Sequence, residues 1–275
     1  MRIAYRFTAA RRLRNWSVLA ALAVAAASLG GCVELPGLTG TNVDSASAQA
    51  PAAGSDQWRV YTEEWGKRYD QSPGDKTASI NYARGLRAMT RYSEAAAVMR
   101  AAAVEAPQDY EVLGEYGKAL ADSGELAQAK DVLTRAYPED RPDWTIMSVQ
   151  GAVEDELGDH DGARKFYADA LKIAPGEPFV LNNLGLSYAL TKQLPQAEAN
   201  LREASASPHA DVRVRTNLAL VLSLEGKYAQ AEDVSRQDMN DDAARANVKA
   251  IRQMIASRGA ASALRASPQP TVAAE

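Results

Sequence analysis

A period of 34 residues is the feature that most constrains the fold of this chain. Two helices cross closely only where their Cβ atoms do not collide, so recurring Ala and Gly positions indicate recurring helix crossings. Small residues recur in three series at this interval: Ala83, Gly117, Gly151, Gly185 and Ala219; Ala95, Ala129, Ala163, Ala197 and Ala231; and Ala102, Ala136, Ala170 and Ala204, after which Asp238 breaks the third series. The chain therefore contains five copies of one packing unit.

Helix and turn signals surround these crossings. A large residue precedes the first small residue of most units, as Tyr82, Tyr116, Leu184 and Leu218, and Gln150 is the exception. Prolines that mark the ends of second helices recur close to the same interval, at Pro73, Pro107, Pro142, Pro175 and Pro208. These positions resemble the tetratricopeptide repeat (TPR), a helix–turn–helix unit. The resemblance implies an all-α TPR superhelix of about five helix pairs, with repeats at about 76–109, 110–143, 144–177, 178–211 and 212–245.

Segments on either side of the five units complete the predicted superhelix. Residues 58–69 (WRVYTEEWGKRY) have the character of a second helix without its first, which indicates an N-terminal capping helix. Residues 242–256 place Val248, Ile251, Met254 and Ile255 on one face, which indicates a C-terminal helix that covers the last apolar surface. We therefore predict a TPR solenoid over residues 56–258 and a disordered tail over residues 259–275.

Residues 1–31 have the layout of a secretory signal peptide. Five arginines precede an uncharged run at residues 16–29, and no acidic residue occurs before Glu34. This run is shorter than the roughly 20 residues of a membrane-spanning helix. We therefore expect the segment to be cleaved.

The residues LGGC at 29–32 resemble the lipobox of bacterial lipoproteins, and Cys32 is the only cysteine in the chain. A chance thiol in an ordinary signal peptide is the alternative, but small residues at the end of the apolar run favour lipidation of Cys32. The acyl chains would hold the mature protein on a membrane. Val33 stands where an Asp retains many Gram-negative lipoproteins at the inner membrane, so the resemblance implies the periplasmic face of the outer membrane. Residues 32–55 are expected to form a flexible tether.

Composition argues against nucleic acids, metals and most enzyme classes. Beyond residue 31 the chain has 26 basic and 35 acidic residues, whereas phosphate binding needs clustered Lys and Arg. One Cys and two His residues cannot supply a zinc ligand set. His160 lies in a repeat turn, His209 lies in a loop without a nearby nucleophile, and the neighbours Asp155 and Glu156 do not share a helix face. We expect no catalytic residue, metal, cofactor, nucleic-acid partner or small-molecule substrate.

Binding of a protein partner is the function that stacked helix pairs favour, because they form an extended concave surface. The first helix of each pair lines that surface, and Asn amides there can both donate to and accept from a peptide backbone. Ordinary solvated helix positions are the alternative interpretation of such polar residues. The candidates for partner contact are Asn81, Arg84, Arg87, Lys118, Asn182, Asn183, Arg213 and Asn217.

Four stretches outside the repeat consensus resemble the TPR lipoproteins of the tight-adherence (Tad or Flp) pilus assembly system, of the TadD type. They are residues 64–75 (EWGKRYDQSPGD), 80–87 (INYARGLR), 211–222 (DVRVRTNLALVL) and 246–252 (ANVKAIR), and the resemblance covers about 58–257. It implies a non-enzymatic outer-membrane assembly factor that binds the pilus secretin or another component of the pilus machine. The alternatives are a TPR lipoprotein scaffold for cell-wall enzymes or for outer-membrane protein assembly and, third, an enzyme.

Overall fold

The computed structural model describes residues 57–266, and this part of the chain consists of twelve α-helices without a β-strand. The prediction of an all-α fold with five helix pairs between two capping helices is confirmed. The helices are α1 (Gln57–Gln71), α2 (Lys76–Ala88), α3 (Tyr92–Glu105), α4 (Tyr110–Ser123), α5 (Leu126–Thr134), α6 (Trp144–Leu157), α7 (His160–Ile173), α8 (Pro178–Leu190), α9 (Leu194–Ala206), α10 (Val212–Leu224), α11 (Tyr228–Ser235) and α12 (Asp241–Ala266).

Each first helix begins with the same kind of side-chain cap. The first helices α2, α4, α6, α8 and α10 begin at residues 76, 110, 144, 178 and 212. A carboxylate directly before each helix accepts a hydrogen bond from the backbone of the first turn, and these residues are Asp75, Asp109, Asp143, Glu177 and Asp211. Such a cap satisfies N–H groups that have no partner within the helix and contributes about 1 kcal/mol. The carboxylate side chain before each first helix thus helps to define where every helix pair begins.

A left-handed residue recurs in the turn within each pair. Gly124, Gly158 and Gly226 have φ angles of 81°, 91° and 80°, and the equivalent residues Thr90 and Lys192 have φ angles of 59° and 63°. Glycine adopts this region without a steric penalty, whereas a residue with a Cβ is strained there. The turn geometry is therefore kept even in the two pairs that lack glycine.

The helices of a pair cross closely at the first series of small residues. A Cβ added to Gly117, Gly151 or Gly185 would lie 2.4, 2.5 or 2.7 Å from a side-chain carbon of Leu133, Tyr167 or Leu201, respectively. Alanine stands at the equivalent positions 83 and 219, where the residue equivalent to these partners is the flexible Met99 or the small Ser235. The size of the second-helix residue therefore accounts for the choice between Gly and Ala.

The first helices lie on the inner side of the stack. α2 contacts α4, α4 contacts α6, α6 contacts α8 and α8 contacts α10, whereas successive second helices pack less closely on one another. A stack with closer contacts on one side curves towards that side. We call the side of α2, α4, α6, α8 and α10 that points away from the second helices the first-helix face. This face is therefore concave.

Helices α1 and α12 cover the two ends of the stack. Tyr61 and Trp65 of α1 are buried with Ala78 of α2. Val248 and Ile251 of α12 are buried, and α12 packs on α10 and α11. Helix α12 continues to Ala266, past the boundary predicted at residue 258, because its alanine-rich end favours helix.

Several sequence predictions lie outside the described residues. These are the signal peptide at 1–31, lipidated Cys32, the tether at 32–55 and tail residues 267–275. Among the twelve described helices, none is both long and apolar enough to cross a membrane.

Candidate functional site

The eight candidate residues lie on four of the five first helices. Asn81, Arg84 and Arg87 belong to α2, Lys118 to α4, Asn182 and Asn183 to α8, and Arg213 and Asn217 to α10. One repeat position occurs on every first helix at intervals of 34 residues, and it includes candidates on α2, α8 and α10. This central row consists of Asn81, Glu115, Val149, Asn183 and Asn217.

Glu115 is the centre of a charge cluster at the α2–α4 end of the row. Its Oε1 accepts from Arg84 Nη2 at 3.0 Å and from Lys118 Nζ at 3.2 Å, and its Oε2 accepts from Arg87 Nη1 at 3.5 Å. The Glu115 side chain is only 7% exposed. Burial acts to raise the pKa of Glu115, but Lys118, Arg84 and Arg87 outweigh it, so the pKa is lowered. Three cations therefore share one buried carboxylate.

Two cations of this cluster keep unused donors. Arg87 also donates to Asp122 at 2.6 Å. Within the described part of the chain, Arg84 has Glu115 as its close partner, with Glu111 at 3.9 Å, and Lys118 pairs with Glu115. A guanidinium carries five N–H groups and an ammonium three, so both side chains can bind a further carboxylate.

A groove of about 610 Å³ adjoins the cluster between α4, α6 and the loop that joins α5 to α6. Gly114 contributes no side chain to this region, and a Cβ there would lie 2.8 Å from Ile146 Cδ1. Charged residues of α2, α4 and the loop line the groove, namely Arg84, Glu111, Glu115, Lys118, Arg141 and Asp143. Aromatic and proline residues also line it, namely Tyr110, Tyr137, Pro138, Pro142 and Trp144.

A short second helix makes room for this groove. Helix α5 has 9 residues, whereas α3 and α7 have 14 each, so the chain leaves the helix at Thr134, well before Pro142. The Tyr137 hydroxyl donates to Gln150 Oε1 of α6 at 2.9 Å and holds the loop on α6. Gln150, the exception in its sequence series, is thus the residue that receives the irregular loop.

A chain of amide hydrogen bonds crosses α6, α8 and α10. Asn217 Nδ2 donates to Asn182 Oδ1 at 2.8 Å, Asn182 Nδ2 donates to Asn183 Oδ1 at 3.3 Å, and Asn183 Nδ2 donates to Ser148 Oγ at 3.3 Å. Each amide nitrogen uses one of its two N–H groups in this chain. We call Asn182, Asn183 and Asn217 the asparagine chain. Asn183 and Asn217 are partly exposed and keep donors available, whereas Asn182 is buried.

A second groove of about 230 Å³ lies beside the asparagine chain. Phe179 borders it and is 42% exposed. His209 and Arg213 also border it, and Arg213 pairs with Asp211 at 2.7 Å. This end of the first-helix face thus combines amides, one exposed ring and charged groups at the rim.

Asn81 differs from the other candidate asparagines. Its Oδ1 accepts from the Tyr61 hydroxyl at 2.6 Å, and its Nδ2 donates to the Thr77 carbonyl at 2.8 Å. The bond from Tyr61 joins the capping helix α1 to α2, and the bond to Thr77 lies within α2.

The residues considered for catalysis form a structural link. Buried Asp155 accepts from Ser187 Oγ at 2.8 Å and from the Tyr167 hydroxyl at 3.0 Å, and His160 Nδ1 lies 2.8 Å from its Oδ1. Ser187 and His160 both bond to Asp155. In a catalytic arrangement the serine would bond to the histidine, and the carboxylate would orient the histidine from its other side. The carboxylate connects α6, α7 and α8. Over residues 57–266, no group of three His, Cys, Asp or Glu residues could hold a metal ion.

Sequence reasoning missed the aromatic and hydroxyl residues of this face. Tyr110, Tyr137, Trp144 and Phe179 line the grooves, and Ser148 ends the asparagine chain. A repeat alignment contains a signal for two of them, because Phe179 and Ser148 occupy the same repeat positions as Arg213 and Asn182. Tyr137 has no such signal, since it belongs to an irregular loop.

Comparisons with known proteins identify the repeat. A tetratricopeptide-repeat family model matches residues 86–145. The solved APC/C hetero-tetramer Cut9–Hcn1 is similar with a TM-score of 0.58 and 16% identity, over 74% of this chain and 40% of that one. A human IFIT1 dimer with m7Gppp-AAAA has a TM-score of 0.58 and 15% identity, over 67% of this chain and 46% of that one. No curated protein sequence matches the chain.

The predicted TPR superhelix is confirmed by these likenesses together with the five helix pairs. The chain spans less than half the length of the two solved proteins, and identities this low show the fold alone. Residues 57–266 have a TPR fold, and this fold is typically a non-catalytic scaffold for protein–protein interaction.

Proposed function

We propose that this protein is a non-enzymatic scaffold, anchored by a lipid on Cys32 at the periplasmic face of the outer membrane. It binds the secretin or another component of a tight-adherence pilus machine through its first-helix face. The TPR fold supports the scaffold role. The sequence at 29–32 supports the anchor, and the four stretches that resemble the TadD type support the pilus role.

The asparagine chain is the observation that carries the binding proposal. Three amides and one hydroxyl are bonded in sequence across α6, α8 and α10, on the concave side of the stack. Independent solvated residues have no reason to align across three helices. Aligned amides can donate to the carbonyl groups of a bound chain without breaking the bonds that position them.

The buried carboxylate supports the non-enzymatic role. Asp155 is 5% exposed and receives hydrogen bonds from two other helices, which accounts for its presence in the core. A structural link of this kind requires no substrate.

Affinity purification tests the partner and the site together. The full-length, C-terminally tagged protein is crosslinked in cells, purified from solubilised membranes and compared with an Asn183→Ala/Asn217→Ala variant. We expect a pilus secretin or another pilus component with the wild type, and about tenfold less with the variant, the equivalent of about 1.4 kcal/mol. Asn200→Ala is the matched control, because within residues 57–266 that amide bonds only to a carbonyl of its own helix α9.

Two results would contradict this proposal in different ways. Recovery of cell-wall enzymes or barrel-assembly components would replace the pilus pathway by the alternative scaffold role. Equal recovery by the wild type and the double variant, with unchanged thermal stability, would remove the asparagine chain from the site.

Membrane fractionation tests the anchor. A Cys32→Ser variant has no thiol to acylate, so the mature protein should move from the membrane to the soluble periplasmic fraction. A variant that stays in the outer membrane and still supports piliation would show that the lipid is not the anchor.

A further inference from the structure

We infer that residues 57–134 and 144–266 form two bodies that rotate against each other at the boundary between α5 and α6, which we call the joint. The contact between Gly114 and Ile146 is the pivot, and the rotation changes the width of the groove of about 610 Å³. The inference concerns the shape of the superhelix, so it does not rest on the proposed function or on the identity of a partner.

The segment between α5 and α6 is longer than the segments at the neighbouring boundaries. It comprises nine residues, 135–143, whereas the segments before α4 and α8 have four residues each and the segment before α10 has five. Hinges consist of a few loop residues that absorb changes of φ and ψ. A long irregular segment can absorb such changes without breaking helical hydrogen bonds. Rotation of one body against the other is therefore less costly here than at the other boundaries.

The crossing of α4 and α6 is close but lacks an interlocking side chain from α4. Gly114 lies so near Ile146 that a Cβ on Gly114 would be 2.8 Å from Ile146 Cδ1. Side chains that pack as ridges into grooves fix the angle between two helices, whereas a glycine presents only its backbone. This contact therefore fixes the distance between α4 and α6 and restrains their angle less.

The equivalent residues of the next two first helices bond to their neighbours. Ser148 of α6 accepts from Asn183 of α8 at 3.3 Å, and Asn182 of α8 accepts from Asn217 of α10 at 2.8 Å. Gly114 stands at the same repeat position and has no side chain that could accept such a bond. The α4–α6 boundary is thus less restrained at this position than the two boundaries that follow it.

The larger groove lies across the joint. Glu111, Glu115 and Lys118 of α4 line it from one body, and Trp144 and Ile146 of α6 line it from the other. Clefts between two bodies open and close when the bodies rotate about a hinge. Rotation about Gly114 and Ile146 therefore widens or narrows this groove.

Side-chain bonds hold the joint in its present position. Lys130 Nζ of α5 lies 2.7 Å from Glu154 Oε1 of α6, and the Tyr137 hydroxyl donates to Gln150 Oε1 of α6 at 2.9 Å. The first bond lies on the second-helix side of the pivot, because Lys130 belongs to α5. A rotation that narrows the groove would move α5 away from α6 and break this bond.

A short second helix alone does not make a joint. Helix α11 has only 8 residues, but the segment that follows it is fixed at both ends. Arg215 of α10 donates to Asp238 at 2.6 Å, and Arg236 pairs with Asp241 of α12 at 3.1 Å. We therefore expect rotation at the α5–α6 boundary and not at the boundary between α11 and α12.

Distances between spin labels measure the rotation. Ala97, Lys165 and Asp233 are exposed at the same repeat position of α3, α7 and α11. Nitroxide labels are attached to full-length Ala97→Cys/Lys165→Cys and Lys165→Cys/Asp233→Cys proteins, both with Cys32→Ser so that only the added thiols react. The first label pair spans the joint, and the second spans the same number of repeats within one body. Pulsed electron paramagnetic resonance then gives the distance for each pair.

The joint variant, Tyr137→Phe/Glu154→Gln, removes both bonds and leaves no unpaired buried charge at residue 154. We expect the distance between labels 97 and 165 to increase by about 3 Å, because a rotation of about 15° about a pivot about 10 Å away moves a label by that amount. The distance between labels 165 and 233 should stay the same. Lys172→Gln is the matched control, because Lys172 pairs at 2.7 Å with Asp169 of its own helix α7.

An unchanged or shorter distance between labels 97 and 165 in the joint variant, or an equal change in both label pairs, would overturn the inference. Circular dichroism shows whether the joint variant is folded. If it is not, Tyr137→Phe and Glu154→Gln are measured separately, and each should lengthen the first distance alone. No partner takes part in these measurements, so failure of the proposed function would leave their outcome unaffected.

Discussion

Gly151 of α6 lies so close to Tyr167 of α7 that a Cβ on Gly151 would be 2.5 Å from the ring carbon Cε1. The hydroxyl of the same ring donates to Asp155, one turn further along α6, at 3.0 Å. The ring is therefore held between two residues of one helix and cannot move away without losing a buried hydrogen bond.

Gly151→Ala should lower the free energy of unfolding by about 1–3 kcal/mol. The added methyl group overpacks the α6–α7 crossing, and this cost exceeds the helix propensity gained from alanine. Urea unfolding followed by circular dichroism measures the change. Gly74→Ala is the control, since a Cβ at Gly74 meets no atom within 4 Å, and an equal loss in both variants would contradict the packing argument.

Tyr167→Phe should destabilise the protein by about 1.5–3 kcal/mol, because a buried carboxylate loses one donor. Tyr188→Phe is the matched control, because no hydrogen bond to the Tyr188 hydroxyl occurs in the described region, where its ring packs under Arg164. Tyr167→Phe should also make Gly151→Ala less costly, since a released ring can shift. Strict additivity in the double variant would show that Asp155 does not hold the ring.

Thr90→Gly and Lys192→Gly should each stabilise the protein by about 1 kcal/mol. Both residues have positive φ angles in exposed turns, where glycine relieves the strain of a Cβ. Thermal unfolding should show a higher Tm for each variant. Gly124→Ala is the converse change at an equivalent position, and a rise in Tm there would contradict the turn argument.

Acid should remove the stabilisation that Glu115 provides. The pKa of Glu115 is lowered in the folded protein despite burial, because Lys118, Arg84 and Arg87 favour its charged form. Its contribution is therefore complete above the unfolded pKa of about 4.3 and is lost as the pH falls through the lower folded value. Glu115→Gln should cost about 1–3 kcal/mol at pH 7, less than a fully buried pair because the cations are partly exposed.

The measurement compares unfolding free energies of the wild type and Glu115→Gln between about pH 7 and pH 3. The difference between them should shrink below the unfolded pKa of about 4.3. Glu63→Gln removes one partner of an exposed pair with Arg59 and should have little effect at either pH. A difference for Glu115→Gln that does not change with pH would contradict the shared-carboxylate arrangement.

The site was partly predictable from sequence. Repeat register placed Arg84, Lys118, Asn183 and Asn217 on the first helices, where the structure has them. It did not distinguish Asn81, which bonds to the capping helix, from the asparagines that bond to one another. Partner choice among side chains of one type depends on contacts between helices, which a repeat position does not specify.

The sequence by itself determined the five helix pairs and their crossings at positions such as Gly117 and Gly151. These features follow from local or strictly periodic interactions, so each unit carries its own signal. Tertiary structure alone decided that α5 ends early, that Tyr137 reaches Gln150, and that Glu115 collects three cations. Such features break the period, and their energy comes from residues that only the packed superhelix brings together.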